Sequence, residues 1–197
     1  MTLQRDYVVV VDLEATCWKN NVAPPGQQQE IIEIGVCKLD LQTLEPADKR
    51  SLLVKPTRSR VSEFCTGLTS LTQEQVDAGQ DFAAACEVLR TDYGGPRHLW
   101  VSWGDYDRRM MHWQCDSFYV EYPFVQGAHL NLKQLYGDLR LGGKRKGMAR
   151  ALKNESLDMH GRHHRGHDDA WNTARLLAKL LQEDGAHILD ACWKESA

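Results

Sequence analysis

The sequence predicts one α/β domain in which helices lie on the faces of a mixed β-sheet, and three observations support this fold class. Tyr7 to Val11 is an almost unbroken β-branched run, typical of a central strand that is buried on both faces. Two more strand patterns follow at Ile31 to Leu39 and at Ser51 to Val54. From Thr72 onward one strand alternates with helical patterns, which predicts helices packed on the sheet.

The other elements follow from local signals in chain order. Lys19 to Gln29 is predicted to be a loop because it is polar and contains Pro24-Pro25-Gly26. Thr72-Gln73-Glu74-Gln75 matches a capping box at a helix start, and Asp81 is a candidate cap for the next helix. The later predicted elements are the helix Phe82 to Leu89, the strand Leu99 to Trp103, and the helices Arg108 to Cys115, Leu130 to Leu139 and about Asp168 to Gln182.

Size and composition indicate an ordinary globular domain. The chain has 197 residues, of which 42% are hydrophobic and 26% charged, so it can bury a sizeable core without disulfides or metal. These values exclude a small disulfide scaffold, a collagen-like chain and a disordered tail protein. The six cysteines are scattered without a Cys-x-x-Cys pair, and neither a signal peptide nor a membrane-spanning run is found. We therefore expect reduced core thiols, no membrane partner and a cytoplasmic location.

The first candidate site is Asp12-Leu13-Glu14, which follows four consecutive valines. Residues two apart on a strand point to the same face, so both carboxylates project together while Leu13 packs behind them. Two such carboxylates repel each other, and burial increases the repulsion. A hard divalent cation such as Mg²⁺ or Mn²⁺ removes this cost because it prefers oxygen ligands. A solvated strand end is the alternative interpretation.

The start of the last predicted helix is the second candidate, because Asp168 and Asp169 are adjacent there and only one can face inward. Asp169 heads an apolar stripe that must pack on the sheet, whereas Asp168 heads a polar one. An inward carboxylate at a helix start is costly unless it is paired or metal-bound, so Asp169 is the predicted functional acid. Asp168 is expected to be an exposed anion in the first turn. The polar stripe consists of Asn172, Arg175 and Lys179.

Residues 159–167, just before that helix, contain half of the chain's eight histidines. A zinc site could use histidines four apart, either His160 with His164 or His163 with His167. Two glycines in the segment argue against a continuous helix, and no cysteine is near. Alternatively, one histidine acts as a general base, because its pKa near neutrality suits removal of a proton from water.

A third candidate follows the predicted strand Leu99 to Trp103. A carboxylate at this junction of strand and helix could meet Asp12 across adjacent strands. Asp105 and Asp107 both fit, and the one without that role is expected to cap the helix. Spacing alone leaves the choice open.

In this order the motifs resemble the DEDDh, or DnaQ-like, 3′-5′ exonucleases, over about residues 7–181. Within that superfamily, five motifs are similar to the Eri-type branch, which includes histone-mRNA and small-RNA trimming exonucleases and the bacterial KapD-type proteins. They are Val11-Asp12-Leu13-Glu14-Ala15-Thr16-Cys17, Glu30-Ile31-Ile32-Glu33-Ile34-Gly35, Phe64-Cys65-Thr66-Gly67-Leu68-Thr69, Trp103-Gly104-x-Tyr106-Asp107 and His164-x-Gly166-x-x-Asp169-x-x-Asn172.

The resemblance implies a ribonuclease H-like fold, with a mixed five-stranded sheet flanked by helices. It implies an exonuclease domain over residues 1–183, followed by a C-terminal extension over residues 184–197 that could serve an interface or fray. In the family, the acidic residue of the second motif directly follows an aromatic residue. The resemblance therefore selects Asp107 over Asp105.

The last motif of the family places a histidine five residues before its aspartate. Both His164 with Asp169 and His163 with Asp168 have that spacing. An asparagine three residues after the aspartate matches only Asp169, in agreement with the helical-face argument. The resemblance therefore implies His164 and Asp169 as the pair in the site.

The implied activity is hydrolysis of phosphodiester bonds from the 3′ end of a nucleic acid, with release of nucleoside 5′-monophosphates. The implied cofactors are two Mg²⁺ or Mn²⁺ ions, which stabilise the attacking and the leaving oxygen. Asp12 would bridge both ions, Glu14 and Asp169 would complete one shell, and Asp107 would contribute to the other. His164 would remove a proton from the attacking water.

Substrate contacts are also implied. By resemblance, Ala15 and Thr16 contact the terminal nucleotide and Leu68 wedges against its base, although core packing is the alternative for Leu68. The net charge of −3 argues against a nucleic-acid partner, yet residues 144–165 carry seven cations against two acids. This basic strip could hold the phosphate backbone, or it could be a solvated loop. Its candidate contacts are Lys144, Arg145 and Lys146.

The sequence thus predicts a metal-dependent 3′-5′ exonuclease. The favoured partner is single-stranded RNA or RNA overhangs, with DNA as the alternative, and RNA is favoured by the branch resemblance alone. Two other functions are weighed against it: a nucleic-acid-binding module with weak or absent catalysis, and a zinc hydrolase built on the histidine cluster.

Overall fold

The structure, a computed structural model, describes residues 3–194 of the chain. Its five strands form one sheet in the order β3-β2-β1-β4-β5. β2 is antiparallel to β1 and to β3, whereas β4 is parallel to β1 and to β5. The predicted mixed sheet is therefore confirmed. The strands are β1 (Gln4–Ala15), β2 (Ile31–Asp40), β3 (Pro46–Leu53), β4 (His98–Ser102) and β5 (His129–Asn131).

Helices cover both faces of this sheet. The α-helices in the described part of the chain are α1 (Glu63–Thr69), α2 (Gln73–Asp77), α3 (Phe82–Thr91), α4 (Tyr106–Phe118), α5 (Leu132–Arg140), α6 (Met148–Asn154), α7 (Gly166–Asp184) and α8 (Asp190–Lys194). Short 3₁₀ turns occur at Lys19–Asn21, Gly95–Arg97 and Ala186–Leu189. None of the helices within residues 3–194 has the length and apolar character needed to span a membrane.

The valine run explains why β1 lies at the centre. Val8 and Val10 pack into the core under α5, α6 and α7, whereas Val9 and Val11 pack on the opposite face under α3 and α4. All four side chains are fully buried. Burial of a valine contributes on the order of 1.5–2 kcal/mol, so this strand is anchored firmly between the two helical layers.

One close contact fixes α7 against the sheet. A methyl group on Gly35 of β2 would lie 1.7 Å from the carbonyl carbon of Gly166, at the first residue of α7. A methyl group on Gly166 would lie 3.0 Å from the main-chain oxygen of Asp12. Only glycine permits this backbone-to-backbone approach, which brings the start of α7 over the end of β1.

Several element boundaries differ from the prediction. β3 begins at Pro46 rather than at Ser51. The prediction placed its start too late because this edge strand has exposed polar side chains and lacks an apolar run. The strand β5 (His129–Asn131) was not predicted, and its last two residues were placed in a helix, because three residues are too few to show a period. The short helices α1 and α6 were not predicted.

The C-terminal segment and the cysteines refine two expectations. Leu189 is buried in the main core, and Arg140 pairs with Asp184, so the described part of the predicted extension packs on the domain. Residues 195–197 of that extension lie outside the described residues. The expectation of core thiols was wrong for Cys17 and Cys192, which are half-buried. The buried cysteines are Cys37, Cys65, Cys86 and Cys115.

Candidate active site

Three acidic residues converge where β1 ends and α7 begins. Asp12 and Glu14 lie on the same face of β1, as predicted from the strand period, and Asp169 lies in the first turn of α7. One carboxylate oxygen from each of the three lies within 4.8 Å of the others. The fold thus assembles acids that are more than 150 residues apart in the chain.

Asp107 completes this group from the opposite helical layer. It lies in the first turn of α4, and its Oδ1 accepts a hydrogen bond of 3.0 Å from the main-chain N–H of Leu13. Asp105 occupies the N-cap position of α4, but Arg108 binds its carboxylate at 2.7 and 3.1 Å. Asp105 therefore does not cap the helix through its side chain, which corrects that part of the expectation.

The four acids lie close together, with Glu14, Asp107 and Asp169 buried and Asp12 half-buried. Burial is the largest cause of every shift: it raises the pKa of Asp12 well above its usual value, that of Glu14 to about 8 and that of Asp107 to about 6. Repulsion from neighbouring carboxylates adds to this, chiefly from Asp107 on Asp12 and from Asp169 on Glu14. Within residues 3–194, no lysine or arginine forms an ion pair with Asp12 or Glu14. Such a set of oxygen donors fits a hard divalent cation, which would relieve the repulsion.

His163 and His164 lie beside this cluster. The ring of His163 hydrogen-bonds Asp169 at 3.0 and 3.1 Å through Nδ1, and this bond raises the pKa of His163. His164 instead donates its main-chain N–H to Asp169 at 2.9 Å, and its ring stacks on that of His163 at a centroid distance of 4.0 Å. Burial lowers the pKa of the His164 imidazole. The structure thus brings His164 to the site and adds His163, for which the sequence had offered Asp168 as the alternative partner.

Asp168 is buried, contrary to the expectation of an exposed anion. It accepts hydrogen bonds from Lys49 of β3 and from the main-chain N–H of Arg162. Burial opposes ionisation, but these two bonds hold the pKa of Asp168 below its usual value. The prediction failed because Lys49, the partner of Asp168, comes from a distant edge strand.

Asn172, placed on the exposed polar stripe by the sequence, is also fully buried. Its side-chain oxygen accepts the main-chain N–H of His160 at 2.9 Å, and its amide donates to the carbonyl of the same residue at 2.8 Å. Asn172 therefore ties the histidine-containing loop to α7. This contact gives a structural reason for an asparagine three residues after Asp169, the motif position that favoured Asp169 over Asp168.

A pocket of about 360 Å³ surrounds the acids and the two histidines. Ala15 and Leu68 line it, as predicted, and Leu68 is 37% exposed, so the core-packing alternative was wrong. Thr16 is different, because its side chain is fully buried and its hydroxyl bonds Ser59 and the main-chain N–H of Glu30. Lining residues that the sequence reasoning missed include Cys17, Gln29, Trp103, Tyr106, Lys133 and Met148.

The basic strip borders the pocket without lining it at the three predicted positions. Lys144, Arg145 and Lys146 are exposed, and Arg145 is bound to Asp138 at 3.2 Å. Gly147, the next residue, does line the pocket. The zinc hypothesis gains no support, because neither pair of histidines four apart belongs to one cluster of potential ligands within residues 3–194.

Comparison with known proteins agrees with this geometry. The chain matches the RNase_T family model, described as an exonuclease, over residues 9–177. It is 31% identical to 3′-5′ exoribonuclease 1 of Rattus norvegicus over 192 residues, which is 93% of this chain and 55% of that protein. The chain thus spans about half the length of this relative.

Two solved structures are also similar. The nuclease domain of 3′hExo, described as a DEDDh family member bound to rAMP, has a TM-score of 0.82 at 29% identity, covering 93% of this chain and 95% of that one. A 3′-exonuclease recognising a histone mRNA stem-loop has a TM-score of 0.78 at 29% identity, covering 90% and 82%. The expected ribonuclease H-like fold and the resemblance to Eri-type DEDDh exonucleases are confirmed. By sequence and by fold, this chain belongs to the RNase_T exonuclease family.

Proposed function

We propose that this chain hydrolyses phosphodiester bonds from the 3′ end of a nucleic acid, one nucleotide at a time, with divalent metal ions as cofactors. The observation that carries the proposal is the acidic cluster at the end of β1: Asp12, Glu14 and Asp169 bring carboxylate oxygens within reach of one another, and Asp107 lines the same pocket beside two histidines. Single-stranded RNA or an RNA overhang is the favoured substrate. The relative named an exoribonuclease and the structures with rAMP and with a histone mRNA stem-loop support RNA over DNA.

The donor set suggests how metal ions would be held. Asp12, Glu14 and Asp169 offer oxygens close enough for one Mg²⁺ or Mn²⁺, and Asp107, which binds the main chain of Leu13 between Asp12 and Glu14, would help to hold a second. When bound, such ions supply positive charge that stabilises the attacking and the leaving oxygen of the phosphodiester.

The chain's own residues orient the reactants and move the proton. Burial lowers the pKa of His164, which favours the neutral imidazole that can take a proton from water. The water oxygen then bonds to phosphorus, and the bond from phosphorus to the 3′-oxygen of the preceding nucleotide breaks. That oxygen takes up a proton, and the terminal nucleotide leaves as a 5′-monophosphate. Ala15 and Leu68 line the pocket where the terminal nucleotide would lie, whereas Thr16 would contact it only through its main chain.

The central experiment digests 3′-labelled and 5′-labelled RNA oligonucleotides in Mg²⁺, in EDTA, and with the Asp12→Asn and Asp169→Asn variants. We expect early release of labelled mononucleotide from the 3′ end in Mg²⁺ only, and loss of that release in both variants. Asp168→Asn is the matched control, because the neighbouring acid binds Lys49 and lies outside the cluster. Mononucleotide release that survives EDTA or Asp12→Asn would contradict the proposal.

A second experiment distinguishes the roles of His163 and His164. His164→Ala should lower kcat more than KM and leave Mg²⁺-induced thermal stabilisation intact, because the side chain is proposed to act on water. His163→Ala should weaken Mg²⁺-induced stabilisation as well, since His163 binds the carboxylate of Asp169. A larger loss of kcat in His163→Ala than in His164→Ala would transfer the role of base to His163.

Substrate class is tested with matched oligonucleotides. RNA, DNA, and RNA carrying a single terminal 2′-deoxynucleotide have the same bases and differ only in 2′-hydroxyls. We expect kcat/KM to be highest for RNA, lower for terminal 2′-deoxy RNA and lowest for DNA, and equal values would remove the preference for RNA.

The basic strip is tested by neutralising Lys144, Arg145 and Lys146 together. This change should weaken binding and flatten its salt dependence, because each lost phosphate contact reduces the slope of log K against log salt concentration by roughly 0.7 for a single strand. An unchanged salt slope would show that this strip does not hold substrate.

A further inference from the structure

Helix α4 presents an exposed aromatic and cationic face that begins at the pocket described above and extends beyond it. Tyr106, Arg109 and Trp113 follow one another at spacings of three and four residues, which places them on one side of the helix. Tyr106 is 42% exposed and Trp113 is 38% exposed. Together with Gln29 and Met110 they line a depression of about 410 Å³.

This depression adjoins the catalytic pocket. Gln29 and Tyr106 line both, so one end of the α4 face lies at the rim of the pocket that contains the carboxylates. A strand whose 3′ end lies in the pocket must leave it somewhere, and an exit over this rim would carry its next nucleotides across Trp113. Within residues 3–194 neither aromatic ring stacks on another ring of the chain. Their faces are therefore available to a ligand.

The charge on this face fits a nucleic-acid backbone. The side chain of Arg109 is 70% exposed, and it contacts Asp105 only loosely, at 3.6 Å from the carboxylate and 3.3 Å from the main-chain oxygen. Arg108, by contrast, is held by the same carboxylate through two short bonds. Arg109 thus keeps most of its donors for a phosphate between two rings on which bases can stack.

We propose that Tyr106, Arg109 and Trp113 form a subsite for the nucleotides immediately 5′ of the terminal one, with Trp113 as a stacking platform and Arg109 as the phosphate contact. The occupant is the single-stranded part of the substrate, so the inference rests on the proposed function. Stacking on an aromatic ring tolerates every base, so this subsite confers a requirement for an unpaired 3′ segment rather than a base preference.

Binding of single-stranded RNA of increasing length, from a dinucleotide to about ten nucleotides, tests the subsite. The probes carry phosphorothioate linkages so that binding is measured without hydrolysis, in the intact protein with Mg²⁺. Trp113→Ala should raise Kd about 10-fold for the longer oligonucleotides, with a loss that grows with length, and Trp113→Phe should restore most of the affinity. Arg109→Ala should reduce the salt slope of binding by roughly 0.7.

Tyr119→Asn is the matched control, because Tyr119 is a 98% exposed aromatic residue directly after α4 that lines neither cavity. If Trp113→Ala lowers the thermal stability of the protein, Trp113→Gln serves as the second variant. A Kd that does not depend on Trp113 at any length, or that changes equally at all lengths, overturns the subsite. Length-dependent binding through Trp113 in a protein that does not hydrolyse RNA supports the subsite and contradicts the proposed function alone.

Discussion

Glu14 and Glu33 face each other directly across the antiparallel pair β1–β2, yet their surroundings are opposite. Both side chains are buried, on the face of the sheet that α7 covers. Glu33 accepts hydrogen bonds from Ser51 at 2.6 Å, from Arg165 at 3.2 Å and from His167 at 2.8 Å. Glu14 has no such donor in the described chain and instead faces Asp169.

The two acids therefore titrate in opposite directions. Against burial, the bonds from His167, Ser51 and Arg165 lower the pKa of Glu33 to about 2, whereas burial and the neighbouring carboxylates raise that of Glu14 to about 8. A buried acid with every partner satisfied stabilises the fold, whereas a buried acid that lacks partners is retained for a ligand. The comparison separates a fully partnered carboxylate from one that we propose to bind metal, on adjacent strands.

Glu33 also fixes the part of α7 that carries Asp169. Glu33 accepts the main-chain N–H of Gly166 at 3.1 Å, and it binds the side chains of the residues on either side of it. These contacts fix the first turn of α7 on β2, and Asp169 lies in that turn. The contacts of Glu33 thus position Asp169 beside Glu14.

The largest expected effect is on catalysis. Asp12→Asn should reduce kcat/KM on RNA by about 10²–10³-fold or more, because it removes a carboxylate proposed to hold the metal ions that stabilise the attacking and the leaving oxygen. In EDTA the same variant should be at least as stable as the wild type in thermal unfolding, since one source of repulsion is gone. A clear loss of stability in the metal-free variant would show that Asp12 has a structural role like that of Glu33.

The next effect concerns the contact between α7 and the sheet. Gly35→Ala should lower the free energy of unfolding by about 3 kcal/mol or more, because the added methyl group overlaps the backbone of Gly166. Gly67→Ala is the matched control, since nothing lies within 4 Å of the added atom and alanine favours the helix α1. Urea unfolding of both variants measures the difference, and equal stabilities would mean that α7 can shift at little cost.

Loss of the structural acid should have a somewhat smaller effect. Glu33→Gln should cost roughly 2–3 kcal/mol of unfolding free energy, because it leaves Arg165 and His167 without their buried partner. Ser51→Ala removes one neutral donor to the same carboxylate and should cost only about 1 kcal/mol. If urea unfolding gave Glu33→Gln wild-type stability, the distinction between the two acids would fail.

The last effect, small at any one step of pH, is a pH dependence of opposite sign for the two acids, measured by urea unfolding in EDTA. Because the folded pKa of Glu14 is raised to about 8, unfolding free energy should fall as pH rises from about 4.5 to 8, and Glu14→Gln should flatten this slope by at most about 1.4 kcal/mol per pH unit. Glu33 stabilises the fold above pH 4.5, so the deficit of Glu33→Gln should shrink as pH falls toward 2. Parallel curves for all three proteins would contradict this prediction.

Periodicity alone predicted much of this site. The strand period placed Asp12 and Glu14 on one face, and the helical stripe turned Asp169 inward, because both inferences depend only on neighbours within a turn or two. The choice of Asp107 over Asp105 needed the family resemblance, because both stand at the same junction and only tertiary contacts separate them.

The errors have a common physical cause. Asp168 was predicted to be exposed, because the local pattern contains no sign of its partner. That partner is Lys49, on an edge strand 119 residues away. β3 itself was predicted too short, since an edge strand carries polar residues that mask its period. The local pattern determines which face a side chain occupies, but it does not determine which distant group meets it there.

The four buried valines have a consequence for motion at the site. Hydrogen exchange from β1 requires opening of both helical layers, so we expect its amides to be among the slowest in the protein. His163 and His164 lie instead on a loop that is held by side chains of α7, including Asn172, Asp168 and Asp169. Opening of this loop need not disturb the sheet, so we expect the amides of residues 160–164 to exchange faster than those of β1.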